Sequence, residues 1–281
     1  MKRIILIFIF ISSVSYASTV DTFTRTLGLT LPQFNSILTY PFNHLDQSAW
    51  FGLSHLALVS VDVQTTDFVQ QNINSLLNWK LFTNDYFPFF FSEDEILILG
   101  LSAVLGYGFV FEDVKSVQAA TLSFQAAFHS YIFSHIIYKT LFARMRPLPN
   151  LRNGLMHQKN IYSSDPWAFG RFHSPYLDSK TYGTAFPSFH FTMFFSVARV
   201  FDRVYQNPFL AYSICTLGLL PNFSAHHHWV SDMVAGALIG VMIGDMVTSH
   251  LYPKKDDSIG HIQLTPIFSP SGYGGQFKII F

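Results

Sequence analysis

The sequence predicts an all-α fold, and three stretches carry that expectation. The run DVKSVQAATLSFQAAFHSYIFSHIIYKTLFARMRP, from Asp113 to Pro147, holds no Gly or Pro before its last residue. A second helical run opens at Pro187 and continues through FHFTMFFSVARVFDRVY. A third, FSAHHHWVSDMVAGALIGVMIGDMV, begins at Phe223. A chain of 281 residues fits one large domain with a substantial core.

Taken in order, the chain starts with a targeting signal. Lys2 and Arg3 precede the apolar run Ile4 to Ile11, and Ser15, Tyr16 and Ala17 place small residues at the cleavage positions. Cleavage after Ala17 is expected, which places the mature chain in the periplasm or envelope. Residues 18–94 form an N-terminal helical and loop region: an arm with one short helix to 42, a helix over 43–65, then polar helix and the loop NDYFPFFFSEDE. A core over 95–250 follows, and a turn-rich tail over 251–281 ends in one short strand, GYGGQFKIIF.

Within the core, Ile96 to Val110 is apolar, but its 15 residues fall short of the ~20 that span a bilayer, so a buried core helix is expected. Asp113 is a candidate N-cap for the helix starting near Val114. That helix should end near Met145, because the residue before a proline avoids the helical region. Residues 148–186 form a long loop of the kind that often carries function. Proline suits the first position of the helix at Pro187. Asn207 and Pro208 break that helix, a further helix covers Leu210 to Leu220, and Pro221 and Asn222 separate it from the last one.

Charged residues are only 12% of the chain against ~25% in a typical soluble domain, and Phe occurs 31 times. Membrane-surface contact is therefore a candidate property. The formal net charge is zero, which excludes the basic surface of a general nucleic-acid binder. The lone Cys215 rules out an internal disulfide framework and reads as a buried apolar residue.

Three clusters bear chemistry. Lys139 and Arg146 are seven apart, so one face of the long helix would present both cations to a multi-oxygen anion. Ser188, Phe189 and His190 fall at a helix start, where backbone N–H groups and the dipole favour an anion and His190 is placed to donate a proton. His228 and Asp232 are four apart on one helix face, where a carboxylate fixes an imidazole tautomer and frees the other nitrogen to attack. Each cluster alone reads equally as ordinary surface. The adjacent His226, His227 and His228 do not share a face, so no metal is expected.

Together the clusters resemble the type 2 phosphatidic-acid phosphatase (PAP2) superfamily, which includes bacterial class A acid phosphatases and vanadium haloperoxidases. Lys139-TLFARM-Arg146-Pro147 matches its first motif. Pro187, Ser188 and His190 match the second, and His228 and Asp232 match the second half of the third. The resemblance covers residues 95–248. It implies a helical bundle of the PAP2/haloperoxidase type and a phosphatase acting on phosphate monoesters or lipid phosphates, with no cofactor. His228 would attack phosphorus, Asp232 would orient it, and His190 would protonate the leaving alcohol. Lys139, Arg146, Ser188 and the Phe189 N–H would hold the phosphoryl oxygens.

Two positions depart from the pattern. The family glycine is Phe189, and the family serine and arginine of the third motif are Pro221 and Asn222. Candidate replacements for the missing arginine are Asn222 itself as a neutral donor, Arg144, Arg171 and His226. The alternative is a catalytically impaired relative that binds a phosphorylated ligand or has a structural role in the envelope.

Overall fold

The computed structural model describes residues 18–73, 93–152, 161–172, 182–224, 228–253, 262–269 and 272–279. The chain is a largely helical bundle, as the sequence predicts. Residues 18–27 form α1, followed by α2 (Thr30–Asn43), α3 (Leu45–Ser60) and α4 (Asp62–Phe68), which runs into a π-helical turn, Val69–Ile73. The expected single short helix over 18–42 is thus two helices.

The core helices are α5 (Glu93–Val110), α6 (Val114–Ser130), α8 (Phe189–Tyr205), α9 (Pro208–Ser224) and α10 (Val230–Ser249). Asp113 caps α6 by accepting from the Lys115 N–H. Helix α6 continues as a π-helix, Tyr131–Tyr138, and then one α-turn, α7 (Lys139–Phe142). Ala143 adopts the left-handed conformation, φ 46°, and stops the helix short of the expected end near Met145. Arg146–Pro147 is instead β1, paired in parallel with β2 (Tyr162–Ser163), while Arg144 bridges Thr184 on the other side.

Two further boundaries differ from expectation. Helix α8 starts at Phe189 with Ser188 as N-cap, after a cis Phe186–Pro187 bond, so Pro187 is not its first residue. Helix α9 runs through Pro221 and Asn222 to Ser224 rather than breaking at them. The tail holds two strands, β3 (Ile262–Ser269) and β4 (Gly272–Ile279), in an antiparallel hairpin with Ile262 opposite Ile279. The expected final strand is β4, and its partner was not read from sequence.

Helices α8 and α10 form the centre. A Cβ on Gly236 would meet the Ser188 carbonyl oxygen at 2.6 Å, and one on Gly240 the Thr192 oxygen at 2.4 Å. Only glycine permits this approach. It brings the N-termini of α8 and α10 side by side, where Ser188 N donates to the Asp232 carbonyl at 3.1 Å. Away from that end, Ile239, Ile243 and Val247 of α10 meet Leu122 and Ala126 of α6, Val200 and Val204 of α8, and Ile37 of α2. Each fully buried Ile, Leu or Val contributes roughly 1.5–3 kcal/mol. Gln33 and Gln125 tie the N-terminal helices to this core, through Gln33 Nε2 to the Val247 oxygen (3.1 Å) and Gln125 Nε2 to the Thr26 oxygen (2.9 Å).

Helix α10 is long and apolar enough to cross a membrane, yet more than half of that stretch is buried inside the bundle. Helix α5 departs from the expected buried core helix. Leu101 is buried, but Ile96, Ile98, Leu99 and Val110 are exposed. Helix α9 likewise buries Cys215 and Leu219 and exposes Phe209, Leu210, Ile214 and Leu217.

Candidate active site

The sequence-predicted residues converge at the end of the bundle where α8 and α10 begin. Lys139 follows the π-helical segment and is buried. Such π insertions recur at functional sites. Here the segment sets His135 beside Lys139, with Nδ1 3.2 Å from Nζ. Burial, and next the Arg146 charge, push the Lys139 ammonium down to about 7.

Arg146 reaches the same place by a different route from the one expected. It lies on β1, not on a helix face shared with Lys139. Its guanidinium is buried, with Nε and Nη2 donating to Thr184 Oγ1 at 3.1 and 2.9 Å. Burial also lowers its affinity for its proton, without threatening the charge of an arginine.

His228 lies just ahead of α10 rather than on its face. Its Nδ1 is 2.7 Å from the Ala185 carbonyl oxygen. A carbonyl only accepts, so Nδ1 carries the hydrogen and Nε2 keeps the lone pair. Burial, then the charges of Lys139 and Arg146, hold the imidazole well below its usual range, with His190 also acting on it. The group is therefore a neutral base facing two cationic side chains.

Asp232 has a different role from the one read in the sequence. It is the third residue of α10, and its Oδ2 accepts from the backbone N–H of the N-cap residue Trp229 at 3.0 Å. Its Oδ1 accepts from Arg144 Nη1 at 2.6 Å. The Ala185 carbonyl, not Asp232, orients His228 Nδ1. Burial outweighs the Arg144 charge, and with Asp62 close by the Asp232 carboxyl is pushed up to about 6.

Arg144 turns inward, but onto acids. Nη2 donates to Asp62 Oδ2 at 2.8 Å while Nη1 serves Asp232 and Ser231 Oγ. Its guanidinium also lies over the rings of Phe169 and Trp229, 4.8 and 5.4 Å from their centroids. Asp62 accepts from Ser231 N at 2.9 Å and from Ser231 Oγ, and Thr66 Oγ1 accepts from Val230 N at 3.2 Å. Helix α4 is thus docked on the start of α10. Removing one member of such a buried ion cluster costs about 3–5 kcal/mol. As a replacement for the missing arginine, Arg144 has its charge already committed.

At α8, Ser188 is buried and makes no side-chain cap bond of its own, which leaves the first-turn amides to other partners. Phe189 is buried at the start of α8. Its backbone is helical, and its ring packs against His135 (4.9 Å, edge-on) and Tyr131 (5.9 Å, edge-on). His190 follows, with Nε2 3.5 Å from Asp94 Oδ1 of α5.

Arg171 is exposed, and its backbone N–H bonds the Ala143 carbonyl. Asn222 lies in the last turns of α9, and His226 lies outside the described residues. Among the described residues, no group of three His, Cys, Asp or Glu is placed to hold a metal ion.

Sequence reasoning missed Ala185, Asp62 and Asp94. A carbonyl leaves no trace in side-chain identity. Asp62 did leave one, as a lone acid in the apolar stretch ALVSVDV. No protein-family model matches the chain, and no curated protein or solved structure matches it either.

Proposed function

We propose that the chain is a phosphatase of the PAP2 type that hydrolyses phosphate monoesters, lipid phosphates included, through a phosphohistidine. The observation that carries this reading is His228: a neutral imidazole with its tautomer set by Ala185, facing Lys139, Arg146 and His190.

In the first step the Nε2 lone pair of His228 attacks phosphorus. The bond from phosphorus to the ester oxygen breaks, and His190 passes its proton to that oxygen as the alcohol leaves. In the second step neutral His190 takes a proton from water as the water oxygen attacks phosphorus. The bond from phosphorus to Nε2 breaks, inorganic phosphate departs, and both histidines regain their starting states. Lys139, Arg146, Ser188 and the Phe189 N–H hold the phosphoryl oxygens, so preorganised donors supply the charge stabilisation. A phosphate dianion returns Lys139 to its charged form as it binds. The reading invokes no cofactor and no nucleic acid. Export to the periplasm or envelope and contact with a membrane surface belong to the same proposal.

The test uses purified mature protein on p-nitrophenyl phosphate and on phosphatidic acid from pH 4 to 8. Turnover is expected, and His228→Ala should remove it by about 10³-fold or more. Tight binding of inorganic phosphate with no turnover of either ester sinks the reading.

A further inference from the structure

We propose that Asp94 is the positioning residue of the candidate acid His190, making the two a carboxylate–imidazole dyad. This rests on the phosphatase reading above. The two side chains meet at 3.5 Å between Asp94 Oδ1 and His190 Nε2, an ion pair whenever His190 holds its proton. Asp94 is in the first turn of α5, three residues before Leu97. Leu97 packs into the cluster formed by Phe189, Phe191 and Met233. Helix α5 packs mainly on α6, and the Leu97 contact brings its first turn, with the carboxylate, to the start of α8.

The surroundings make this carboxylate distinctive. His190 acts on His228 in the segment before α10, as do Lys139 of α7 and Arg146 of β1, and His135 of the π-helical segment lies beside Lys139. All of these are basic. Asp62 and Asp232, the acids at the start of α10, are both bound by Arg144. Among the described residues, Asp94 is an acid that meets a site histidine. Lys139 and Arg146 favour a neutral His228, whereas Asp94 favours a protonated His190. Two like groups are pushed toward opposite roles, nucleophile and acid. With Nε2 on Asp94, the proton handed to the leaving oxygen comes from the other ring nitrogen. Asp94 keeps its charge throughout.

Leaving-group dependence separates this role from a merely structural one. A nitrophenolate leaves with little help, while an alkoxide needs a full proton. Asp94→Asn should lower kcat on glycerol phosphate by about tenfold or more, and on p-nitrophenyl phosphate by less than about threefold. Asp94→Glu should recover most of the loss. In NMR titrations of the histidine rings, the His190 midpoint should fall by about one pH unit in Asp94→Asn. Equal losses on both esters, or an unmoved His190 midpoint, overturns the proposal. If the unaltered protein hydrolyses neither ester, the phosphatase reading fails by itself, and the His190 midpoint still decides whether the dyad exists.

Discussion

A buried lysine is costly to a fold, and Lys139 is one. Its ammonium is desolvated beside the Arg146 guanidinium, which lowers it from 10.5 to about 7. Between those values the unfolded chain holds a proton that the native chain has released, so this group's contribution to stability rises with pH across that window. Its penalty is greatest below pH 7, where the native state must carry the buried charge. Lys139→Met removes the charge while filling similar volume. The expected result is a Tm raised by roughly 4 °C at pH 6 and by clearly less at pH 10. Thermal unfolding followed by circular dichroism at the two pH values checks this. A Tm that drops at pH 6, or rises equally at both, removes the argument. Asp232 adds an opposite contribution: its carboxyl is raised from 3.8 to about 6, so its share of stability falls as pH rises through that interval.

At the scale of elements, the site exists because α8 and α10 approach closely enough to align their first turns. Gly240 is the tightest point, since a Cβ there would sit 2.4 Å from the Thr192 oxygen and 3.0 Å from Ser196 N. Gly240→Ala must push the helices apart, at about 1–3 kcal/mol. The Ser188-to-Asp232 contact would loosen with it. Gly100→Ala on α5, where nothing lies within 4 Å of the new Cβ, should instead be neutral or stabilising by about 0.5–1 kcal/mol. Urea unfolding of both variants, with activity measured alongside, gives the contrast. Similar stabilities for the two would refute the role of close approach.

The same scale shows what the sequence made legible. The helical runs of α6, α8 and α10 were readable, as was the Asp113 cap, because both depend on neighbours in the chain. Lys139, Ser188, His190 and His228 were singled out by spacing and by the resemblance, and the fold brings Lys139, His190 and His228 near one another. Arg146 was found for a wrong reason: an unbroken helix was inferred, whereas Ala143 turns left-handed and the next residues are extended. Asp232 was assigned to His228 from i,i+4 spacing, but His228 precedes the helix and Arg144 takes the carboxylate. The roles of Asp62 and Asp94 rest on contacts with α10 and α8 across long sequence separations. No local pattern encodes such contacts.

At the scale of the whole molecule, the exposed apolar surface needs a partner. Helix α5 presents Ile96, Ile98, Leu99 and Val110, and α9 presents Phe209, Leu210, Ile214 and Leu217. Leu97 of α5 joins the cluster that holds Tyr212 and Cys215 of α9, so the two faces flank one part of the bundle. Contiguous apolar surface of this kind marks an interaction site. Both helices also lead to the candidate site, α5 by starting at it with Asp94 and α9 by ending four residues before His228. Lipid resting on these faces would therefore place the site beside the headgroups, where a lipid phosphate presents its ester. The expected behaviour is retention on membranes through a high-salt wash and release by detergent. Replacing Phe209 and Ile214 with Ser should move the chain toward the salt-soluble fraction. It should also lower turnover of phosphatidic acid in vesicles while sparing p-nitrophenyl phosphate, because neither side chain belongs to the site. An unaltered chain recovered wholly in the soluble fraction, or equal losses on both substrates, would detach these faces from lipid.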